Sequence, residues 1–165
     1  MEHVILVDEQ DLPVGTMEKL AAHQQGLLHR AFSVFIFNAG GELLLQQRAY
    51  SKYHSAGLWT NTCCSHPRPG EDTAGAASRR LREEMGLHTP LTYKGSFIYR
   101  TPFGNGLTEH EYDHVFTGVG DETPVLHPEE AEAYKWMSLS DIKQQISTQP
   151  DLFTSWFRIA IATFF

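Results

Sequence analysis

Residues 65–87 read Ser-His-Pro-Arg-Pro-Gly-Glu-Asp-Thr-Ala-Gly-Ala-Ala-Ser-Arg-Arg-Leu-Arg-Glu-Glu-Met-Gly-Leu, and this stretch decides the fold. Pro67, Pro69 and Gly70 make its first part a loop. Asp72 or Thr73 can then cap a helix in which Ala74, Ala77, Leu81 and Met85 fall on one face, and Gly86 supplies the stop. The remaining faces carry Arg79, Arg80, Arg82, Glu83 and Glu84. Arg80 and Glu84 lie one turn apart on a shared face. A loop and helix that fix carboxylates in this way can bind a hard divalent cation.

Strands and turns surround this helix. Val4–Val7 reads as a strand that ends in the Asp-Leu-Pro-Val-Gly turn at 11–15, and 16–30 reads as polar and irregular. Ala31–Phe37, the Asn38–Gly41 turn and Glu42–Arg48 form a hairpin. Residues 49–72 are a long loop with a short strand near Trp59–Cys64, and a loop of that length in a small domain is usually functional. Further strands are predicted at Leu91–Tyr99, Thr108–Val119 and Ala133–Met137, then a short helix capped by Ser140 and a last helix over 153–165. Strands and helices alternate without regular βαβ repetition, so the expected fold is an α/β/α sandwich around a mixed sheet, one domain over 1–165.

Composition narrows the function. Thirteen Lys and Arg against twenty Asp and Glu leave a net charge of −7, which argues against nucleic acid as a partner. A few basic groups in a cleft can still attract a small anion. Neither the first residues nor the Trp156–Phe165 stretch, broken by Arg158, reads as a signal peptide or membrane span, so a cytoplasmic protein without membrane insertion is expected. The two cysteines, Cys63 and Cys64, are adjacent and form no disulfide framework.

The 65–87 stretch resembles the Nudix box, G-x5-E-x7-R-E-U-x-E-E-x-G-U, where U is apolar. Glu71, Arg79, Leu81, Glu83, Glu84, Gly86 and Leu87 match, but Ser65 stands for the opening Gly and Arg80 for a metal-binding Glu. The box therefore looks retained for diphosphate binding and altered for hydrolysis. Two more segments, Thr-Asn-Thr-Cys-Cys-Ser-His-Pro at 60–67 and Thr-Glu-His-Glu-Tyr at 108–112, resemble the N-x-x-C-x-H-P and E-x-E signatures of type I isopentenyl diphosphate isomerases. The resemblance runs from Thr16-Met-Glu-Lys through Ala-Tyr-Ser-Lys to Trp156, nearly the whole chain.

That resemblance implies a metal site of His23, His29, His66, Glu109 and Glu111 for Mn²⁺, Zn²⁺ or Mg²⁺. It implies Cys64 and Glu111 as the acid–base pair, either of which can start as the acid, with Tyr99 assisting. Lys19, Arg48, Lys52 and Arg80 would contact the diphosphate of a small isoprenoid substrate. Glu84 and the Cys64 backbone carbonyl would hold a Mg²⁺ that accompanies it, Trp156 would face a carbocation, and no flavin is implied. The spacing is independently sensible, because Glu109 and Glu111 share one face of a strand and His110 points the other way. His110 and His114 are read as structural, and Trp59 and Trp136 as core. A monomer or weak dimer is expected. Rival readings are a Nudix hydrolase acting on a nucleoside diphosphate derivative, which expects Glu at position 80, and a non-catalytic binding module, which expects a damaged proton-transfer set.

Overall fold

The computed structural model describes residues 2–165. Nine strands form one mixed sheet: β1 (His3–Val7), β2 (Pro13–Glu18), β3 (His29–Phe37), β4 (Leu43–Arg48), β5 (Trp59–Thr60), β6 (Cys63–Ser65), β7 (Thr92–Pro102), β8 (Thr108–Val119) and β9 (Ala131–Met137). Four α-helices accompany them among the described residues, α1 (Lys19–Gln25), α2 (Thr73–Met85), α3 (Leu139–Thr148) and α4 (Ser155–Phe164).

β3 is the spine. It runs parallel to β8 from His29↔Glu111 to Phe37↔Val119, while β8 pairs antiparallel with β7. The hairpin expected at 31–48 has its turn, yet β3 and β4 pair only at Phe37↔Leu43. Further along, β6 lies against β3 at Phe32–Val34 and β4 pairs with β9, so the arms diverge and admit the Cys63–Ser65 strand.

Strand alternation divides the core between two layers. Phe32, Val34, Ile36 and Phe116 turn toward α2, where Ala76, Ala77, Leu81 and Met85 complete one apolar cluster. Phe35, Leu43, Leu45 and Val115 turn the other way, onto Ile142 of α3 and Phe157, Ala160 and Ile161 of α4. This is the expected α/β/α sandwich. Trp136 packs against the first cluster and Trp59 against the second, in keeping with their reading as core residues.

The α2 signals act as expected. Asp72 Oδ2 accepts the Gly75 amide at 2.8 Å, and Gly86 closes the helix at φ 66°, where an added Cβ would meet Val125 Cβ at 2.9 Å.

Other boundaries differ from expectation. The turn after β1 is set by Asp8, whose side chain accepts the Gln10 and Leu12 amides, so Pro13 already begins β2. The 16–30 stretch is ordered, containing the end of β2, all of α1 and the start of β3. Glu18 caps α1 by accepting the Leu20 and Ala21 amides at 3.0 and 2.9 Å, a task rarely given to Glu. Ser138 rather than Ser140 caps α3. A 3-10 turn at Pro150–Leu152 precedes α4, because Pro150 and the extended Phe153 interrupt a continuous helix.

Leu81 is fully buried between α2 and the sheet. Leu81→Ala is expected to lower unfolding stability by about 2–5 kcal/mol, read as a fall in the urea midpoint.

Candidate active site and metal centre

On β8 the face that buries Val115 under α4 continues through Asp113, Glu111 and Glu109, all buried. An apolar face thus turns acidic toward the strand's start. Strand pairing sets what lies beside these carboxylates. His29 of β3 is the ladder neighbour of Glu111 on one side and Tyr99 of β7 on the other. Tyr99 donates a short hydrogen bond to Glu111 Oε1, and His29 Nε2 stands 3.2 Å from Glu111 Oε2. His66, just beyond β6, brings its Nε2 to 2.6 Å from that same oxygen. His23, on α1, places its Nε2 2.6 Å from Glu109 Oε1.

These five residues offer donor atoms that all lie within 4.8 Å of one another. His23 Nδ1 faces the Lys19 carbonyl at 2.6 Å and His29 Nδ1 faces the Leu27 carbonyl at 2.9 Å. A proton on each Nδ1 satisfies those carbonyls and turns each Nε2 toward a carboxylate, where it donates a hydrogen bond when protonated and can bind a metal ion when not. At such separations a nitrogen and a carboxylate oxygen repel each other unless a proton or a metal ion lies between them. Glu109 Oε2 is also buried without a hydrogen-bond partner. Both observations fit a divalent ion, and imidazole with carboxylate is a donor set suited to ions such as Mn²⁺ or Zn²⁺.

The protein's charges are arranged to the same end. Burial alone would raise the Glu109 carboxyl, but hydrogen bonds from His23 and His54 hold it well below the usual range. Burial works against charge on His29, yet the Glu111 bond and both carboxylates raise its pKa. Burial and then the Glu111 charge push Tyr99 well above an ordinary phenol, so it remains a donor.

Cys64 lies on the wall of the adjoining cavity, about 450 Å³ in volume. Its Sγ is 3.2 Å from Asn61 Oδ1 and receives the Trp156 indole N–H at 3.1 Å. Asn61 is itself fixed, donating to the Val34 and Cys63 carbonyls. Burial pushes the Cys64 thiol up to about 12, against the lowering charge of Arg48. The sulfur is thus a positioned, proton-bearing thiol.

The cavity brings together Lys19, Arg48, Lys52, Cys64, His66, Arg80, Tyr99, Glu109, Glu111 and Trp156 from the expected set. His23 and His29 lie beneath its floor, fully buried. Glu84 does not reach the wall. It is 3% exposed behind Arg80, whose Nη2 is 3.4 Å away, and it accepts from Cys63 Sγ at 3.0 Å. Of the remaining box carboxylates, Glu71 and Glu83 are both held by Arg79.

Three of the rim cations meet a carboxylate: Lys19 meets Glu2 at 2.8 Å, while Lys52 and Arg80 share Glu130 at 2.5 and 2.9 Å. Arg48 lies over the Trp156 ring at 5.3 Å, with its Nε buried and unpartnered.

His54 and Glu130 were missed by sequence reasoning. His54 follows Lys52-Tyr53 in a loop already suspected of function, which is a usable signal; the Pro-Glu-Glu run at 128–130 offers none. His110 bonds the Gly26 carbonyl and His114 bonds Asp11, both outside the cluster.

The NUDIX domain family pattern matches residues 27–157, and the chain belongs to this family. Its fold neighbours agree. A Deinococcus radiodurans crystal structure, 22% identical, superposes with a TM-score of 0.74 over 90% of each chain. A MutT NUDIX hydrolase from Burkholderia pseudomallei, 23% identical, gives 0.65 over 82% of this chain and 96% of its own. Within the family, the chain is a member of the isopentenyl-diphosphate Delta-isomerases. It is 55% identical to isopentenyl-diphosphate Delta-isomerase 2 of Aromatoleum aromaticum across 94% of this chain and 82% of that protein. It is 52% identical to the Pectobacterium atrosepticum isopentenyl-diphosphate Delta-isomerase across 98% and 90%.

Metal-stripped protein titrated with Mn²⁺ is expected to take up one ion in this centre by calorimetry. Glu109→Ala, which removes a buried ligand, should weaken that uptake by tenfold or more.

Proposed function

We propose that this chain interconverts isopentenyl diphosphate and dimethylallyl diphosphate through a tertiary carbocation. The observation that carries the reading is one cavity wall bearing both the Cys64 thiol and the Glu111 carboxylate, beneath a rim of Lys19, Arg48, Lys52 and Arg80. The reaction forms one C–H bond, moves the double bond and breaks another C–H bond, with no net redox change. It needs one group to give a proton and another to take one. Cys64 and Glu111 form that pair, and their roles exchange between the forward and reverse directions.

Each partner is oriented by its neighbours. Asn61 and Trp156 aim the Cys64 sulfur, and the Tyr99 hydroxyl, hydrogen-bonded to Glu111, can pass a proton to it. The Trp156 indole offers a π face that attracts a cation and does not capture it as water would. Its 4% exposure supports a dry wall at that position.

His23, His29, His66, Glu109 and Glu111 would hold the divalent ion. Bound there, the ion would supply a fixed positive charge that orients Glu111 and tunes its basicity. Lys19, Lys52 and Arg80 turn from Glu2 and Glu130 to the diphosphate, and Arg48 uses its unpartnered Nε. Glu84 and the Cys64 backbone carbonyl would hold a Mg²⁺ that accompanies the substrate, once Arg80 has turned away. The protein acts as one cytoplasmic domain, a monomer or weak dimer, with no nucleic-acid partner.

The hydrolase alternative has little support. Arg80 replaces a box carboxylate, while Glu71 and Glu83 are committed to Arg79. The binding-module alternative leaves an intact proton-transfer pair without a task.

Proton NMR of the protein with isopentenyl diphosphate and Mg²⁺ in D₂O tests all three readings. Deuterated dimethylallyl signals are expected; phosphate release would point to the hydrolase, and no turnover to the module. Cys64→Ala and Glu111→Gln are each expected to lower kcat by about 10²–10⁴, the usual range for a general acid or base. Full activity in either variant overturns its role.

A further inference from the structure

His54 lies outside the five-residue centre and has no part in the proton transfer described above, yet it is 8% exposed and points inward. Its Nε2 is 2.8 Å from Glu109 Oε1, the oxygen that also faces His23. Its ring is stacked on Phe103, with centroids 4.5 Å apart and planes 9° apart, and meets Trp156 edge-on at 6.0 Å. Its backbone carbonyl accepts a hydrogen bond from Arg48 Nη2 at 3.2 Å. The next residue, Ser55, holds φ at 52°, a left-handed conformation that non-glycine residues adopt only under strain. The loop thus carries local backbone strain beside an inward-facing imidazole.

We propose that His54 is a positioning residue joining the diphosphate cleft to the metal centre, an inference that rests on reading the five-residue cluster as that centre. Its ring N–H fixes Glu109 Oε1. The other oxygen, Oε2, which has no hydrogen-bond partner among the described residues and lies 3.9 Å from His29 Nε2, is thereby left as the atom available to the ion. Through its carbonyl the same residue sets Arg48, so one loop position orients a metal-binding carboxylate and a phosphate-binding guanidinium. Buried partners of ligating groups commonly change metal affinity about 10–100-fold when removed. Simple ring packing between Phe103 and Trp156 would need no nitrogen facing Glu109.

The test compares Mn²⁺ affinity, measured by chelator competition on metal-stripped protein, in wild type, His54→Phe and His54→Gln. His54→Phe keeps a ring against Phe103 and Trp156 and loses the donor; a 10–100-fold loss of Mn²⁺ affinity is expected. His54→Gln can return an N–H near the Nε2 position and should recover most of that loss. Circular dichroism of the metal-free proteins checks folding. Should the Phe variant not fold, His54→Asn, whose shorter amide falls short of Glu109, replaces it in the comparison with Gln. Wild-type affinity in the variant lacking the donor, or no recovery with Gln, overturns this inference alone. Failure of the wild-type chain to bind Mn²⁺ overturns the metal-centre reading and this inference with it.

Discussion

Two carboxylates, Glu109 and Glu111, are buried on a sheet face that packs apolar side chains beyond Asp113, and the rest of the site is a response to that constraint. Removing a carboxylate from water is costly unless partners surround it. Here three elements converge to provide them: α1 brings His23, the start of β3 brings His29 and the residue after β6 brings His66. Such a cluster is a poor means of gaining stability, since well-packed apolar residues often serve as well or better. Its presence in so small a core is a mark of function.

The family helix has a changed role. In α2 the apolar face still anchors the sheet, but the charged face mostly holds itself, with Arg79 bound to Glu71 and Glu83. Arg80 bonds Glu83 as well, while its Nη2 reaches Glu130 and Glu84. Arg80 thereby presents positive charge to the cleft. This local sign runs against the chain's net charge of −7, and it is achieved by placement rather than composition.

How much of this was legible followed from the range of each signal. The α2 helix was readable because its cap, apolar face and glycine stop are local. The Glu109/Glu111 pair was readable because alternation on β8 is strict, and the structure buries both. By contrast α1 is a seven-residue helix capped by Glu18, too short for a periodic signal, so 16–30 read as irregular. The β3–β4 hairpin showed in its turn, while the divergence of its arms depends on β6 and β8, partners distant in sequence. His54 was hidden for a similar reason, because only the fold sets Glu109 beside it, 55 positions along the chain.

The parallel β3–β8 ladder has a consequence for how the molecule assembles. A parallel pair cannot form through a tight turn, so its closure waits on a long intervening loop. The contacts that complete the centre span 86 residues for His23–Glu109 and 82 for His29–Glu111, and Cys64–Trp156 spans 92. Topologies of this kind fold slowly. A chain emerging from synthesis can form α2 and the β3–β4 turn early, but it owns no reactive centre until β8 and α4 have arrived. Reactivity thus becomes a property of the finished topology, and an ion that binds only this closed arrangement would hold together contacts that span 82 and 86 residues.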